Sequence, residues 1–82
     1  MYAERISRVL YYHDLADTSC KENKAYDEYD LFARYVLSAV EEDGVSLKDA
    51  IEFNLEYFFA LEPDEIDEER VNSVVDEIEK TA

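Results

Sequence analysis

The stretch Leu47-Lys48-Asp49-Ala50-Ile51-Glu52-Phe53-Asn54-Leu55-Glu56-Tyr57-Phe58-Phe59-Ala60-Leu61 decides how this chain folds. It contains neither Gly nor Pro. Ser46 stands just before it with Asp49 three positions on, the start signal of a helix. At 100° per residue its apolar side chains reach almost all the way round, and only Lys48, Asp49, Glu52 and Glu56 mark a narrow wet strip. A helix apolar on most sides is expected to be buried on most sides, within the domain or against another copy. Asn54 falls inside the apolar arc. It either closes a buried hydrogen bond, sets a helix register, or marks a gap in the apolar face.

Outward from this helix, the same spacing argument gives three more. Gly44, the only glycine, fits the C′ position of a preceding helix over about 27–42, where φ > 0 meets no Cβ clash. Asp27 is placed to cap that helix with Asp30 three residues on, and Tyr26 and Leu31 to staple it. Its apolar stripe reads Phe32, Tyr35, Val36, Ala39 and Val40. A first helix over about 2–14 carries Ile6, Val9, Leu10 and His13 on one face, with Glu4 and Arg8 in the favourable i, i+4 order. Residues 16–25 lack periodicity and read as a loop. Beyond Pro63, Asp67 opens a fourth helix over about 67–80. Glu68 and Glu69 lie in its first turn, Ile66 and Val71 can staple it, and Val71, Val74, Val75 and Ile78 form its stripe. The sequence therefore predicts one all-α domain, 1–82, a compact four-helix bundle with short loops. The second and third helices should form its centre and the first and fourth its flanks.

Charge is the second strong signal. The 82 residues carry 22 Asp and Glu against 8 Lys and Arg, a net charge of -14. Residues 41–82 hold fifteen of the acids and three of the bases, so the excess sits in the latter half. A polyanion of this kind repels nucleic acid and anionic membranes, and attracts basic protein surfaces. With 48% hydrophobic residues, including seven Tyr and four Phe, the chain is too apolar to be disordered. A single Cys gives no disulfide framework and suits a reducing compartment. No apolar run approaches a membrane span and no signal-peptide pattern opens the chain, so a cytoplasmic protein is expected.

Chemistry finds little support. Zinc needs three or four Cys, His or carboxylate ligands, against His13 and Cys20 with no paired spacing. His13 continues an apolar stripe, as a packed or helix-end histidine does. Aligning Gly44 with the sixth position of an EF-hand puts Ala39 first and Ala50 last, and the motif fails at both ends. No phosphate-cradling glycine loop exists. Glu52 and Glu56 share the wet strip rather than a cleft. Cys20 beside His13, Asp14 and Asp17 fixes no nucleophile geometry. No enzyme, cofactor or metal is expected.

The acids themselves are the candidate site. Asp30–Arg34 and Asp76–Lys80 are supportive i, i+4 pairs. Glu41, Glu42 and Asp43 instead lie at the C-terminal end of a helix, the wrong end for anions. Glu52–Glu56 and, if helical, Glu65–Glu69 are like-charge pairs. Charges that oppose local stability are where function is expected to override it. The plain alternatives are solubility or adaptation to high salt. Adjacent aromatics cannot all face one core, so one of Tyr11 and Tyr12, and also Phe59, should be exposed or at an interface. Alternatively these tyrosines cover a small core with their hydroxyls wet. The predicted partner-binding set is Tyr11, Tyr12, Glu41, Glu42, Asp43, Glu62, Asp64, Glu65, Asp67, Glu68 and Glu69. The function it points to is a non-catalytic module binding a basic protein: an inhibitor, immunity protein, antitoxin or DNA mimic. The competing reading is a structural homodimer through helices two and three.

The run Tyr26-Asp27-Glu28-Tyr29-Asp30, with the helix to Glu42 and the Ile51–Phe59 helix, resembles a small uncharacterised family of bacterial helical proteins carrying a DEYD element. The resemblance spans about residues 6–60 and implies a helical fold with no known activity. In architecture alone the chain is also similar to bacteriocin immunity proteins, small acidic four-helix proteins that use a Tyr pair. Here the pair is Tyr11-Tyr12, without the Pro-flanked motif expected around it.

Overall fold

A computed structural model describes residues 2–16, 18 and 28–80 of the chain. Four helices run in the order α1 (Ala3–His13), α2 (Asp30–Asp43), α3 (Leu47–Phe59) and α4 (Glu68–Lys80). A 3-10 turn over Pro63–Glu65 joins the last two. No strand occurs among the described residues, and the fold is an all-α four-helix bundle. Its radius of gyration of 11.5 Å is close to that of a well-packed chain of this length, about 12 Å.

The boundaries follow from side-chain chemistry at the helix ends. Ser46 caps α3 by accepting the Asp49 N–H at 3.2 Å. Gly44, at φ 68°, ends α2, and the Val45 N–H reaches back to the Ala39 carbonyl at 3.2 Å. Gly44 sends its own N–H to the same carbonyl, and this backward closure of the last turn is what a left-handed glycine permits. Asp67 caps α4 by accepting from Glu69 N–H at 3.0 Å and Arg70 N–H at 3.3 Å. Within the connection, the Glu62 N–H donates to the Glu65 carboxylate at 3.0 Å. α2 differs from expectation. It begins at Asp30, and Tyr29 holds the N-cap position without a side-chain cap. The proposed Asp27 cap and Tyr26 staple, and most of the expected 16–25 loop, lie outside the described residues. α3 stops at Phe59 rather than Leu61, because Ala60 turns left-handed at φ 53°.

The helices close a ring. α1 packs against α2 and α4, and α3 packs against the same two. The expected centre of helices two and three with flanking helices is therefore corrected. Each helix contributes one inward stripe: Ile6, Val9 and Leu10 from α1, Phe32, Ala33 and Val36 from α2, Ile51 and Leu55 from α3, and Val71, Val74 and Ile78 from α4. All are fully buried or within a few percent of it. Tyr29, just before α2, is fully buried among Phe32 and Phe59, with ring centroids 5.8 and 5.7 Å away.

α3 is not buried on most sides. A chain of 82 residues has too little mass to wrap a helix all round. α3 buries Leu47, Ala50, Ile51, Asn54 and Leu55, and leaves Phe53 and Tyr57 in the open. Phe59, expected outside, is half-buried against Tyr29 and Phe32. Asn54 settles its own polarity locally, donating its amide to the Ala50 carbonyl one turn back at 2.8 Å. Glu52 departs from the wet strip: it is half-buried, and its Oε2 has no hydrogen-bond partner.

Candidate functional site

The acidic side chains divide between the two ends of α3. Glu41, Glu42 and Asp43 are exposed on the last turn of α2, just before α3 begins. Glu62, Asp64, Glu65, Asp67, Glu68 and Glu69 are exposed after it ends. Thirteen helical residues, about 20 Å, separate the groups. Glu65 belongs to the 3-10 turn and not to α4, so it forms no helical like-charge pair with Glu69.

The cation nearest the second group in sequence, Arg70, reaches α1: its guanidinium donates to the carbonyls of His13 at 2.6 Å and Asp14 at 3.0 Å. Those carbonyls end α1, where unpaired acceptors and the negative end of the helix dipole favour a cation. Elsewhere the expected ion pairs do not close. Glu4–Arg8, Asp30–Arg34 and Asp76–Lys80 stay beyond 4 Å, and Asp30 instead accepts the Ser7 hydroxyl at 2.6 Å. His13 meets Glu77 across the α1–α4 contact, Nε2 to Oε2 at 2.6 Å.

The Tyr pair splits as adjacent helical residues must. Tyr12 is 63% exposed and Tyr11 is half-buried, their rings edge to face at 5.5 Å. Both line a cleft of about 310 Å³ between α1 and α2, together with Glu4, Ser7, Arg8 and Asp30. Because Arg70 ties the end of α1 to the first turn of α4, this pair stands at the same end of the bundle as Glu62–Glu69. Glu41–Asp43 lie at the other end, so the eleven predicted residues do not form one continuous patch.

Behind the Tyr pair lies a polar junction that spacing could not reveal. Asp14 is buried and left-handed at φ 46°, a conformation Asp tolerates better than most residues. Its Oδ1 accepts from the Tyr29 hydroxyl at 2.6 Å, and from the Thr18 N–H and hydroxyl at 2.9 and 2.8 Å. The Tyr29 hydroxyl in turn accepts the Ala16 N–H at 3.1 Å. Burial, and next the hydrogen bond to the Asp14 carboxylate, raise the Tyr29 pKa well above its ordinary value. The junction therefore holds a neutral phenol on a carboxylate and locks the turn after α1.

The second surface lies along the α2–α3 seam. Tyr35 and Phe58 stack edge to face at 5.2 Å, and Phe58 meets Tyr57 at 5.3 Å. Phe53 lies one turn before Tyr57 on α3, and Leu31 one turn before Tyr35 on α2. Further along, a groove of about 350 Å³ is lined by Ala39, Asp43, Val45, Asp49, Ala50 and Phe53. The helical wheel separates two apolar faces of α3 without deciding which turns inward. Phe53 and Tyr57 sit nearly opposite Ile51 and Leu55 on the helical wheel, and the core of a four-helix ring takes only one side.

No family model, curated protein or solved structure matches this chain. No residue role is inherited from a relative. Among the described residues no three His, Cys, Asp or Glu side chains converge to hold a metal ion, and no helix is long and apolar enough to cross a membrane. Cys20 lies outside the described residues.

Proposed function

We propose that this chain is a non-catalytic interaction module that engages a basic surface on another protein. The observation that carries the reading is the connection between α3 and α4. Six exposed carboxylates occur within eight residues, and the adjacent cation, Arg70, donates to two carbonyls at the end of α1. Asp67 and Glu65 have local work as caps. Among the described residues, the side chains of Asp64, Glu68 and Glu69 make no hydrogen bond or ion pair. Such a field steers a cationic partner and rejects anionic ones. An inhibitor, immunity protein, antitoxin or DNA mimic of bacterial or phage origin acts in this way, and the cytoplasm is the expected location for its lone thiol.

The test is affinity capture on the immobilised chain at low salt. Retained proteins should be basic and should elute as salt rises. The triple variant Asp64→Asn, Glu68→Gln, Glu69→Gln should retain less of them. Capture of neutral or acidic proteins alone, indifferent to salt, would overturn the reading.

A second reading rests on the apolar side chains left exposed at the α2–α3 seam, which would suit a homodimer through those helices. Sedimentation showing a monomer at high micromolar concentration removes it.

A further inference from the structure

We infer that the α2–α3 seam is the anchoring site for a cationic amphipathic helix of the basic partner. The inference rests on the proposed function and says where on the molecule the partner sits.

The first observation is clustering. Six large hydrophobic side chains are exposed among the described residues, and four of them, Leu31, Tyr35, Phe53 and Tyr57, belong to α2 and α3, with Tyr35 and Tyr57 both packed on Phe58 and Phe53 lining the groove between the two helices. Phe53 is 65% exposed and Tyr57 70%. Scattered exposed apolar residues are ordinary, but a grouping of them on two adjoining helices beside a groove marks an interaction surface. Aromatic side chains of this kind are the anchors of protein interfaces.

The second observation is charge. The groove is closed on its two sides by carboxylates, Asp43 from α2 and Asp49 from α3, and none of the residues lining it is basic. An apolar grouping beside two anions matches a helix with leucine-like residues on one face and lysines or arginines flanking it. A cation beside Phe53 or Tyr57 gains from the ring face as well as from the carboxylates. A second copy of this chain fits this surface less well, because it would bring another net charge of -14 to a groove already lined by Asp43 and Asp49.

Titration calorimetry of the full chain with a helical lysine–leucine peptide tests the inference, with oligolysine and a glutamate–leucine peptide as controls. The lysine–leucine peptide should bind, oligolysine should bind more weakly, and the glutamate–leucine peptide should not bind. The variant Phe53→Ser with Tyr57→Ser keeps the net charge and changes only exposed residues, so its helicity should be intact. It should weaken the lysine–leucine peptide by roughly tenfold or more and leave oligolysine unchanged. Asp43→Asn with Asp49→Asn should weaken the same peptide and flatten its salt dependence. Equal binding of that peptide to wild type and to the Phe53, Tyr57 variant overturns the seam while leaving the acidic module standing. No salt-dependent binding of either cationic peptide overturns the module itself. Dimerisation of the wild type that the Phe53, Tyr57 variant abolishes overturns the choice of occupant.

Discussion

A carboxylate oxygen that accepts from three donors, as Asp14 Oδ1 does from Tyr29 and twice from Thr18, fixes the chain on either side of it. Replacing Tyr29 by Phe removes the phenol donor from a buried acceptor. Below pH 10 the variant should be less stable than wild type by about 1–3 kcal/mol, read by urea denaturation. The pH dependence has a defined sign. The Tyr29 pKa is raised on folding, so the folded state keeps its proton where the unfolded chain has lost it. That contribution is fully present below the unfolded value of 10.0 and is lost as pH rises above it toward the folded value. The stability gap between wild type and Tyr29→Phe should therefore shrink between pH 9 and pH 11. A gap that stays constant contradicts the junction. Ala60 offers the opposite test. It holds a left-handed φ of 53° that suits glycine, so Ala60→Gly should raise stability by about 0.5–1 kcal/mol. A loss on that substitution would show that the α3 end is held by something other than backbone freedom.

At the scale of the element, the helix ends are set by short side chains one to three residues from the bonds they make. Asp67→Ala deletes the acceptor for two α4 N–H groups and should cost about 1 kcal/mol in chemical denaturation; an unchanged midpoint would remove Asp67 as a cap. Such caps were readable from sequence because Ser46, Gly44 and Asp67 act locally. What lay beyond the sequence was direction. Periodicity gave α3 too many apolar positions, and only the ring of four helices decides that Ile51 faces in while Phe53 faces out. The start of α2 was misplaced for a related reason. α2 begins at Asp30, with Tyr29 at its N-cap, buried and bonded to Asp14, a partner fifteen residues away. Arg70 escaped notice likewise, since its acceptors on α1 are more than fifty residues distant. The candidate site was half legible. Its acids are where the sequence put them, on the surface, but they fall at two ends of α3, and the exposed aromatics of α3 were expected to be buried, within the domain or against another copy.

At the scale of the whole molecule, a modest core holds together against a net charge of -14. The i, i+4 pairs that would offset this stay open, and the cation at the acidic connection donates to the end of α1. Sodium chloride screens such repulsion, so raising it from low to physiological concentration should lift the melting temperature by a few degrees. A flat or falling response would mean that the carboxylates do not strain the fold. The same field that weakens the chain in isolation is what a cationic partner would find attractive, with the α3–α4 acids steering and the seam holding. The most direct measurement is the affinity of a captured basic partner across a salt series, for wild type and for Asp64→Asn, Glu68→Gln, Glu69→Gln. Affinity should fall steeply with salt for the wild type and less steeply, from a lower start, for the variant. Identical curves for the two proteins would contradict a functional acidic surface.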